Sequence, residues 1–332
     1  MLRSYFVLIG GILTGAFLVA AFVATSASAG MTDDLSDCTA AKDRAAATAC
    51  TRVMNSGRLP QAQMYIGFFN RGTAYRSAGD SAKAVADFTK VLELKPSFVR
   101  AYEARGMAKA ELGEHDAAMA DLDEAVQRGN QEWRFFYSRA VVLRGAGDFQ
   151  EALRSLDAAA GLKADAPYIP LMRALILADQ ESQDAARAEI DRAPAKGEED
   201  AIVHYARAAV DFAEGWVDAA EVDADRALAL RPDLSSARVL KGRILQQRGE
   251  LAAARANYEK ALQSAPDSFD GYGTRQVAKA QLSALGKLEV AKRGDDVAEA
   301  KIDTAKIDRD APLDCKVFLP ATGSVITAKC SE

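Results

Sequence analysis

Small and apolar residues recur at one fixed spacing through the middle of the chain. Between residues 65 and 268 one pattern repeats every 34 residues, six times, without an insertion or a deletion. The twentieth residue of every unit is alanine, and the twenty-fourth is large in all units but the fifth. These residues are Ala84, Ala118, Ala152, Ala186, Ala220 and Ala254, followed by Phe88, Leu122, Leu156, Ile190, Ala224 and Tyr258. Each unit has room for two amphipathic helices, so the pattern predicts six helix pairs.

Glycine marks the turn inside most units. The fifteenth residue is glycine in every unit except the fourth, and glycine suits a tight turn because it tolerates positive φ. Small residues at the eighth and twentieth positions let the two helix backbones approach closely, and the twenty-fourth residue fills the gap one turn further on. The eighth residues are Gly72, Gly106, Ala140, Ala174, Ala208 and Gly242, and the fifteenth are Gly79, Gly113, Gly147, Glu181, Gly215 and Gly249.

The fourth unit fits the pattern least well. It has Glu181 in place of the turn glycine, and Pro167 and Pro170 lie near its start. Proline is tolerated in the first turn of a helix. We therefore predict a helix pair here as well, one that bends the array.

This pattern resembles the tetratricopeptide repeat (TPR), whose period is 34 residues. The resemblance covers residues 65–268. It implies an all-α fold, an α-solenoid in which helix hairpins stack into a right-handed superhelix around one continuous core. It also implies a concave groove, which in TPR proteins is lined by positions two, five, nine and twelve to thirteen of successive first helices.

Carried onto this chain residue by residue, the resemblance implies a groove with an aromatic and aliphatic centre flanked by arginines. The early part contains Phe69, Arg76, Arg100, Glu103, Glu111, Arg134 and Arg144, the middle Tyr137, Val141, Tyr168, Leu171, Leu175, Ile202, Tyr205, Phe212 and Val239, and the late part Arg243, Gln246 and Gln247. Such a groove suits an extended segment or an amphipathic helix with apolar anchors and some acidic residues. The alternative for each residue is packing between helices.

The first thirty residues have the features of a targeting segment. Arg3 is the only charge before Asp33, an apolar run extends from residue 5 to residue 24, and Ala27-Ser28-Ala29 favours cleavage before Gly30. We expect residues 1–29 to be a signal peptide. Because the apolar run is nearly long enough to span a bilayer, an uncleaved inner-membrane anchor is the alternative. Either way the repeats would lie outside the cytoplasm, in a periplasmic or secreted protein.

The four cysteines form two sequence-local pairs, Cys38 with Cys50 and Cys315 with Cys330. An even count at such spacings in an exported chain favours disulfides. When the 34-residue register is extended back to residue 31, Cys38 and Cys50 fall at positions eight and twenty, where paired helices touch. Residues 30–64 are therefore predicted to be a disulfide-stapled capping hairpin with Met54 at position twenty-four; two free, buried cysteines are the alternative.

Beyond the repeats the pattern changes twice. Residues 269–285 are predicted to form a helix that caps the sixth unit, and residues 286–311 a charged linker or marginal helix. Residues 312–332 are predicted to form a β-hairpin that turns at Thr322-Gly323. In that register paired residue numbers sum to 645, so Cys315 faces Cys330 and a disulfide would close the tail.

Motifs for catalysis or metal binding are absent from the sequence. It has no G-x-x-x-x-G-K-[ST] loop, no C-x-x-C and no H-E-x-x-H. We expect His115 at the surface of a turn and His204 as a half-buried structural residue. Asp87, Asp121 and Asp223 recur at position twenty-three, which a repeated surface contact explains more simply than acid catalysis. A net charge of −5 with mixed signs gives no reason to expect nucleic-acid binding.

Together these features predict a non-enzymatic scaffold or adaptor of the bacterial cell envelope that binds other envelope proteins or peptides and needs no cofactor or metal. One alternative is a membrane-anchored regulatory subunit of an envelope enzyme, held by the N-terminal helix. Another is an enzyme with its site in the tail hairpin. The sequence leaves the partner, its pathway and the oligomeric state open.

Overall fold

The computed structural model describes residues 34–39, 43–57, 59–166, 168–193, 200–264, 273–299, 314–319 and 324–329. The chain divides into two compact units, residues 1–283 and 284–332, which are considered separately. The predicted signal or anchor segment, residues 1–29, lies outside the described ranges. Within those ranges no helix is long and apolar enough to cross a membrane.

The first unit is built from helices that follow one another in antiparallel pairs. It begins with a short helix, α1 (34–39), then α2 (Arg44–Asn55) and a single 3-10 turn (Gln61–Gln63). Six pairs follow at the predicted 34-residue spacing. They are α3 (Met64–Ser77) with α4 (Ser81–Leu94), α5 (Val99–Glu111) with α6 (His115–Arg128), α7 (Trp133–Ala146) with α8 (Phe149–Leu162), α9 (Tyr168–Asp179) with α10 (Gln183–Asp191), α11 (Ala201–Glu214) with α12 (Val217–Leu230), and α13 (Ser235–Gln247) with α14 (Leu251–Gln263).

Within each pair the two helices pack along each other, and each pair packs against the next. The alanines at position twenty are fully buried in all six pairs, and so is the large residue at position twenty-four in the pairs that carry Phe88, Leu122, Leu156 and Tyr258. The prediction of an all-α solenoid of stacked helix hairpins is confirmed.

Close helix contact explains the glycines at position eight. A Cβ atom built on Gly72 would lie 2.8 Å from the Phe88 ring, and one built on Gly242 would lie 2.5 Å from the Tyr258 ring. Both distances are shorter than van der Waals contact, so the large side chain at position twenty-four occupies the space that a side chain at position eight would need.

The turn glycines have the backbone conformation that the sequence predicts. Their φ angles lie between 81° and 89° in the five units that have glycine at position fifteen. In the fourth unit Glu181 takes the same conformation with φ 59°, as the one described residue other than glycine with positive φ. The turn geometry is thus imposed by the packing of the pair, even where the local residue does not favour it.

The N-terminal helices carry the predicted disulfide. Cys38 and Cys50 are bonded, with their Cα atoms 4.6 Å apart, and both are buried. The bond joins α1 to α2, and the side chain of Met54 fills the space above Gly67 on α3. In the described part of the chain, therefore, the first cysteine pair joins the helices that precede the repeats.

A basic residue at position seven and a polar partner at position twenty-three form a second periodic feature. The guanidinium of Arg71 donates to both carboxylate oxygens of Asp87, at 2.8 and 2.7 Å, and Arg105 pairs with Asp121 at the same two distances. Both aspartates are only 5% exposed. The expectation of a surface contact was therefore wrong for these two, which are buried ion pairs inside the helix hairpins.

Helix α15 (Thr274–Glu299) follows the repeats and extends beyond the predicted capping helix, residues 269–285. Residues 286–299, predicted as a linker or a marginal helix, are helical. The first turn of α15 lies against the concave face of the first unit, as described below.

In the second unit, β1 (Asp314–Leu319) pairs antiparallel with β2 (Ser324–Lys329). Paired residue numbers sum to 643, since Asp314 faces Lys329 and Cys315 faces Ala328. The register predicted from the sequence, with a sum of 645, was therefore wrong by two residues, and four residues separate the strands instead of two. Cys330 lies outside the described residues, and its disulfide with Cys315 stays a prediction.

Candidate functional site

A cavity of about 530 Å³ opens on the concave side of the first unit. The first helices of four successive pairs, α7, α9, α11 and α13, form its apolar floor. Val141, Leu175, Tyr205, Val239 and Leu240 line this floor, and each is at most 7% exposed. They come together because residues at positions five, six and nine lie on one face of each first helix.

Charged and aromatic side chains surround the floor. Arg144 pairs with Asp179 at 2.7 Å, and the exposed guanidinium of Arg243 lies 4.8 Å from the centre of the Phe212 ring. Such stacking of a cation on an aromatic face contributes on the order of 0.5–1 kcal/mol at an exposed site. The cavity thus combines a buried apolar surface with an arginine that has an exposed face, the combination common at protein interaction sites.

The structure brings together somewhat more than a third of the predicted groove residues around this cavity. Those that line the cavity are Arg144, Leu175, Tyr205, Phe212, Val239 and Arg243, together with Val141. All of them except Arg144 come from the middle and late parts of the predicted groove.

The remaining predicted residues do not line the cavity. Phe69 packs against the rings of Phe88 and Phe98, with centroids 5.6 and 5.1 Å away, and the Arg100 guanidinium lies over it. Arg76 pairs with Glu111 at 2.8 Å. Phe69 and Arg76 thus have partners within the array, whereas Arg100 is exposed, and a binding role for these side chains stays a prediction.

Further along the chain, Tyr137, Leu171 and Tyr168 are buried or partly buried, whereas Arg134 is exposed. Tyr137 is 6% exposed and lies edge-on to Trp133, over which the exposed Arg134 is also placed. Leu171 is 1% exposed within the main core, and Tyr168 is partly buried against that core.

The early arginines surround a buried carboxyl group. Ser138 donates a hydrogen bond of 2.6 Å to Glu103, and burial raises the pKa of Glu103 against the opposing effects of that bond and of Arg76, Arg100 and Arg134. Because Arg76 also pairs with Glu111, part of the positive charge at this end of the array is neutralised by a carboxylate of the chain itself. The electrostatic attraction between these arginines and an acidic partner is therefore weaker than the sequence alone indicates.

The cavity also has lining residues that sequence reasoning missed. Gly273, Thr274, Gln276 and Val277, around the start of α15, close part of it. Nothing in the 34-residue pattern indicates that a segment after the sixth unit returns to the concave face. His115, expected at the surface of a turn, is exposed and lies at the cavity edge.

His204, the histidine expected to be structural, is buried and bonded within the chain. His204 is 7% exposed, and its Nδ1 lies 2.5 Å from a carboxylate oxygen of Asp223, which Arg207 also approaches to 3.6 Å. Among the described residues, no group of three histidine, cysteine, aspartate or glutamate side chains could hold a metal ion. The described residues of the cavity offer a surface for binding.

Comparison with known proteins agrees with this fold. Models of the tetratricopeptide repeat match residues 69–132, 137–201 and 235–268. A comparison with curated proteins gives no match. The crystal structure of a tetratricopeptide repeat protein from Parabacteroides merdae ATCC 43184 is similar, with a TM-score of 0.54 and 19% identity over 72% of this chain and 91% of that chain. Yeast Tom70 has a TM-score of 0.51 and 16% identity over 77% of this chain and 62% of its own.

The helix pairs, their spacing and these matches define a helical repeat protein of the kind that presents a binding surface. The chain belongs to the tetratricopeptide repeat family. At these levels of identity the two solved structures show the fold alone. TPR folds are typically non-catalytic scaffolds for protein interaction.

Proposed function

We propose that this protein is a non-enzymatic scaffold or adaptor of the bacterial cell envelope, and that it binds an apolar or amphipathic segment of a partner protein in its concave cavity. The cavity itself carries this proposal. Its floor has five large apolar residues side by side, and Arg243 with Phe212 at its edge offers the kind of aromatic and arginine contact that dominates many interfaces.

Two observations support the envelope as the location. Residues 1–29 have the charge, apolar run and small-residue triplet of a signal peptide. Cys38 and Cys50 form a disulfide, a bond that persists mainly in oxidising compartments such as the periplasm. Determining the N-terminus of the protein from cells tests this directly. A start at Gly30 supports export with cleavage, whereas an intact N-terminus in the membrane fraction supports the anchored regulatory subunit instead.

The binding proposal is tested by capturing partners from the envelope fraction with wild type and with the double variant Phe212→Ala/Arg243→Ala. Both side chains lie at the edge of the cavity, so their removal takes away contact surface without placing a charge in the core. We expect partners to be lost from this variant.

A matched control removes a similar pair away from the cavity. Arg128 lies over the Tyr102 ring at 5.2 Å, and neither residue lines the cavity. The variant Tyr102→Ala/Arg128→Ala should keep the same partners as wild type. Equal capture by all three proteins would reject the cavity as the binding site.

A further inference from the structure

The first turn of α15 makes hydrogen bonds to both ends of the repeat array. One Nη atom of Arg275 donates to the carbonyl oxygens of Ser77 and Ser264, at 2.6 and 2.7 Å, and the other donates to that of Leu262 at 2.7 Å. Ser77 is the last residue of α3, whereas Leu262 and Ser264 lie at the end of α14. A single side chain therefore joins the first and the sixth helix pairs.

The next residue adds a bond to the second pair. The side-chain amide of Gln276 donates to the carbonyl oxygens of Glu111 and Ala110, at 2.9 and 3.3 Å, at the end of α5. The last four carbonyl groups of a helix have no partner within the helix, and they carry partial negative charge. Arginine and amide donors suit these carbonyls, although the carbonyl of Ala110 also accepts from the amide of Gly113 at 2.9 Å.

The contact is close enough to constrain the opposite turn. A Cβ atom built on Gly79 would lie 2.7 Å from Nη1 of Arg275, too short for an unchanged position of that guanidinium. At the equivalent turn of the second unit, Gly113 has nearly the same φ, 83° against 81°, and nothing within 4 Å of a built Cβ. Gly79 thus leaves space into which Arg275 fits.

The chemistry of the contact indicates that it can be released. Among the described residues Arg275 has hydrogen bonds to neutral carbonyl groups but no ion pair, and its Nε is buried without a partner. The Arg275 side chain is half-buried, and holding a cation there without a direct counterion costs free energy, which offsets part of what the hydrogen bonds contribute. Burial accordingly lowers the pKa of Arg275.

We infer that residues 273–278, which we name the strap, tie the sixth helix pair to the first two and hold the concave cavity partly closed, so that a partner segment enters by displacing them. Thr274, Gln276 and Val277 of the strap line the cavity that the floor residues form. The tie itself is independent of any partner; the displacement step rests on the function proposed above.

The tie is tested by the distance between spin labels on Ala86→Cys and Ala256→Cys, two exposed positions on α4 and α14, in a background where Cys315 and Cys330 are replaced by serine. Pulsed electron resonance compares this protein with the same protein carrying Arg275→Ala/Gln276→Ala. We expect a longer and broader distance distribution in the strap variant. Lys279→Ala, an exposed position on the same helix, should leave the distribution unchanged. Identical distributions in all three, with helix content equal by circular dichroism, would overturn the tie.

A second pair of variants separates the strap from general loss of stability. Gly79→Ala and Gly113→Ala impose the same backbone strain, but only Gly79→Ala meets Arg275. We expect a wider label distance for Gly79→Ala alone. An equal effect of both changes would mean that turn strain, and not the strap, sets the distance.

Closure of the cavity is measured with the dye 1-anilinonaphthalene-8-sulfonate, which fluoresces in apolar surroundings. We expect higher dye fluorescence for Arg275→Ala/Gln276→Ala than for wild type and Lys279→Ala, and loss of that increase when Phe212→Ala is added. An unchanged signal would overturn closure. If the dye and the labels report opening but captured partners do not increase, the strap stands and the proposed function of the cavity fails.

Discussion

Glu181 shows, at the scale of one residue, how the array overrides local preference. Its φ of 59° is costly for any residue with a side chain, by roughly 1–2 kcal/mol relative to a right-handed conformation. The five sister turns avoid this cost with glycine. The fourth pair keeps the geometry because both its helices are fixed by neighbours on either side.

Replacing Glu181 by glycine should therefore stabilise the protein. We expect the free energy of unfolding of the fourth pair to rise by about 1 kcal/mol, because the strain is relieved while the unfolded chain gains freedom that partly offsets it. Hydrogen exchange of α9 and α10 measures the change. Glu181→Ala keeps the strain and serves as the control, so a gain of the same size in both variants would contradict this account.

Tyr258 allows a prediction about pH at the same scale. Its side chain is fully buried beside Gly242 and donates to Gln246, and burial raises the pKa of Tyr258 to about 12, despite the opposing charge of Arg243. The neutral phenol is favoured in the folded state. Its stabilising effect is complete below the unfolded pKa of about 10 and is lost as the pH rises toward 12.

Absorbance of tyrosinate tests this. The titration of wild type minus that of Tyr258→Phe should be centred near pH 12, while the remaining tyrosines titrate lower. Over the same range wild type should lose stability relative to the phenylalanine variant. A difference titration centred near pH 10 would show that Tyr258 is accessible to water.

At the scale of elements, the sequence was most informative where a pattern repeats. Six alanines at position twenty and five turn glycines were enough to place twelve helices, because every pair obeys the same packing rule.

The groove was only partly predictable. Leu171 and Tyr205 both occupy position five and both belong to the main core, yet only Tyr205 also lines the cavity, since the fit of each pair on its neighbour decides what that face meets. The predicted register of the tail strands was also wrong, because four residues separate the strands and the prediction assumed two.

The disulfide between α1 and α2 permits a test at this scale. Because α1 and α2 are short, the disulfide should supply much of their stability. Breaking such a bond typically lowers the free energy of unfolding by about 2–4 kcal/mol. We expect Cys38→Ser/Cys50→Ser to raise hydrogen exchange in α1 and α2 and to leave α7 to α12 unchanged. Cys315→Ser/Cys330→Ser is the matched control for loss of two cysteines. Normal protection of α1 and α2 without the bond would show that packing against α3 is sufficient.

At the scale of the whole first unit, the strap changes how stability is shared. In an open repeat array each pair contacts only its neighbours, so the two ends unfold independently and most readily. Arg275 joins Ser77 to Leu262 and Ser264, which no sequence period could reveal because the partners lie up to 198 residues apart. The two ends of this array are thus coupled to each other. The contact between them disfavours the start of local unfolding at either end.

This coupling predicts an effect at a distance. In Arg275→Ala/Gln276→Ala, hydrogen exchange should rise in α3 and α4 as well as in α14, although the substitutions lie in neither region of the sequence. The middle pairs, α7 to α10, should keep wild-type protection because their neighbours are unchanged, and Lys279→Ala should alter neither end. Faster exchange confined to α14 and α15 would mean that the strap is only a local contact of the last pair. Equal rises at both ends, with the middle unaffected, follow only if the hydrogen bonds of one arginine and one glutamine hold the two ends of the array together.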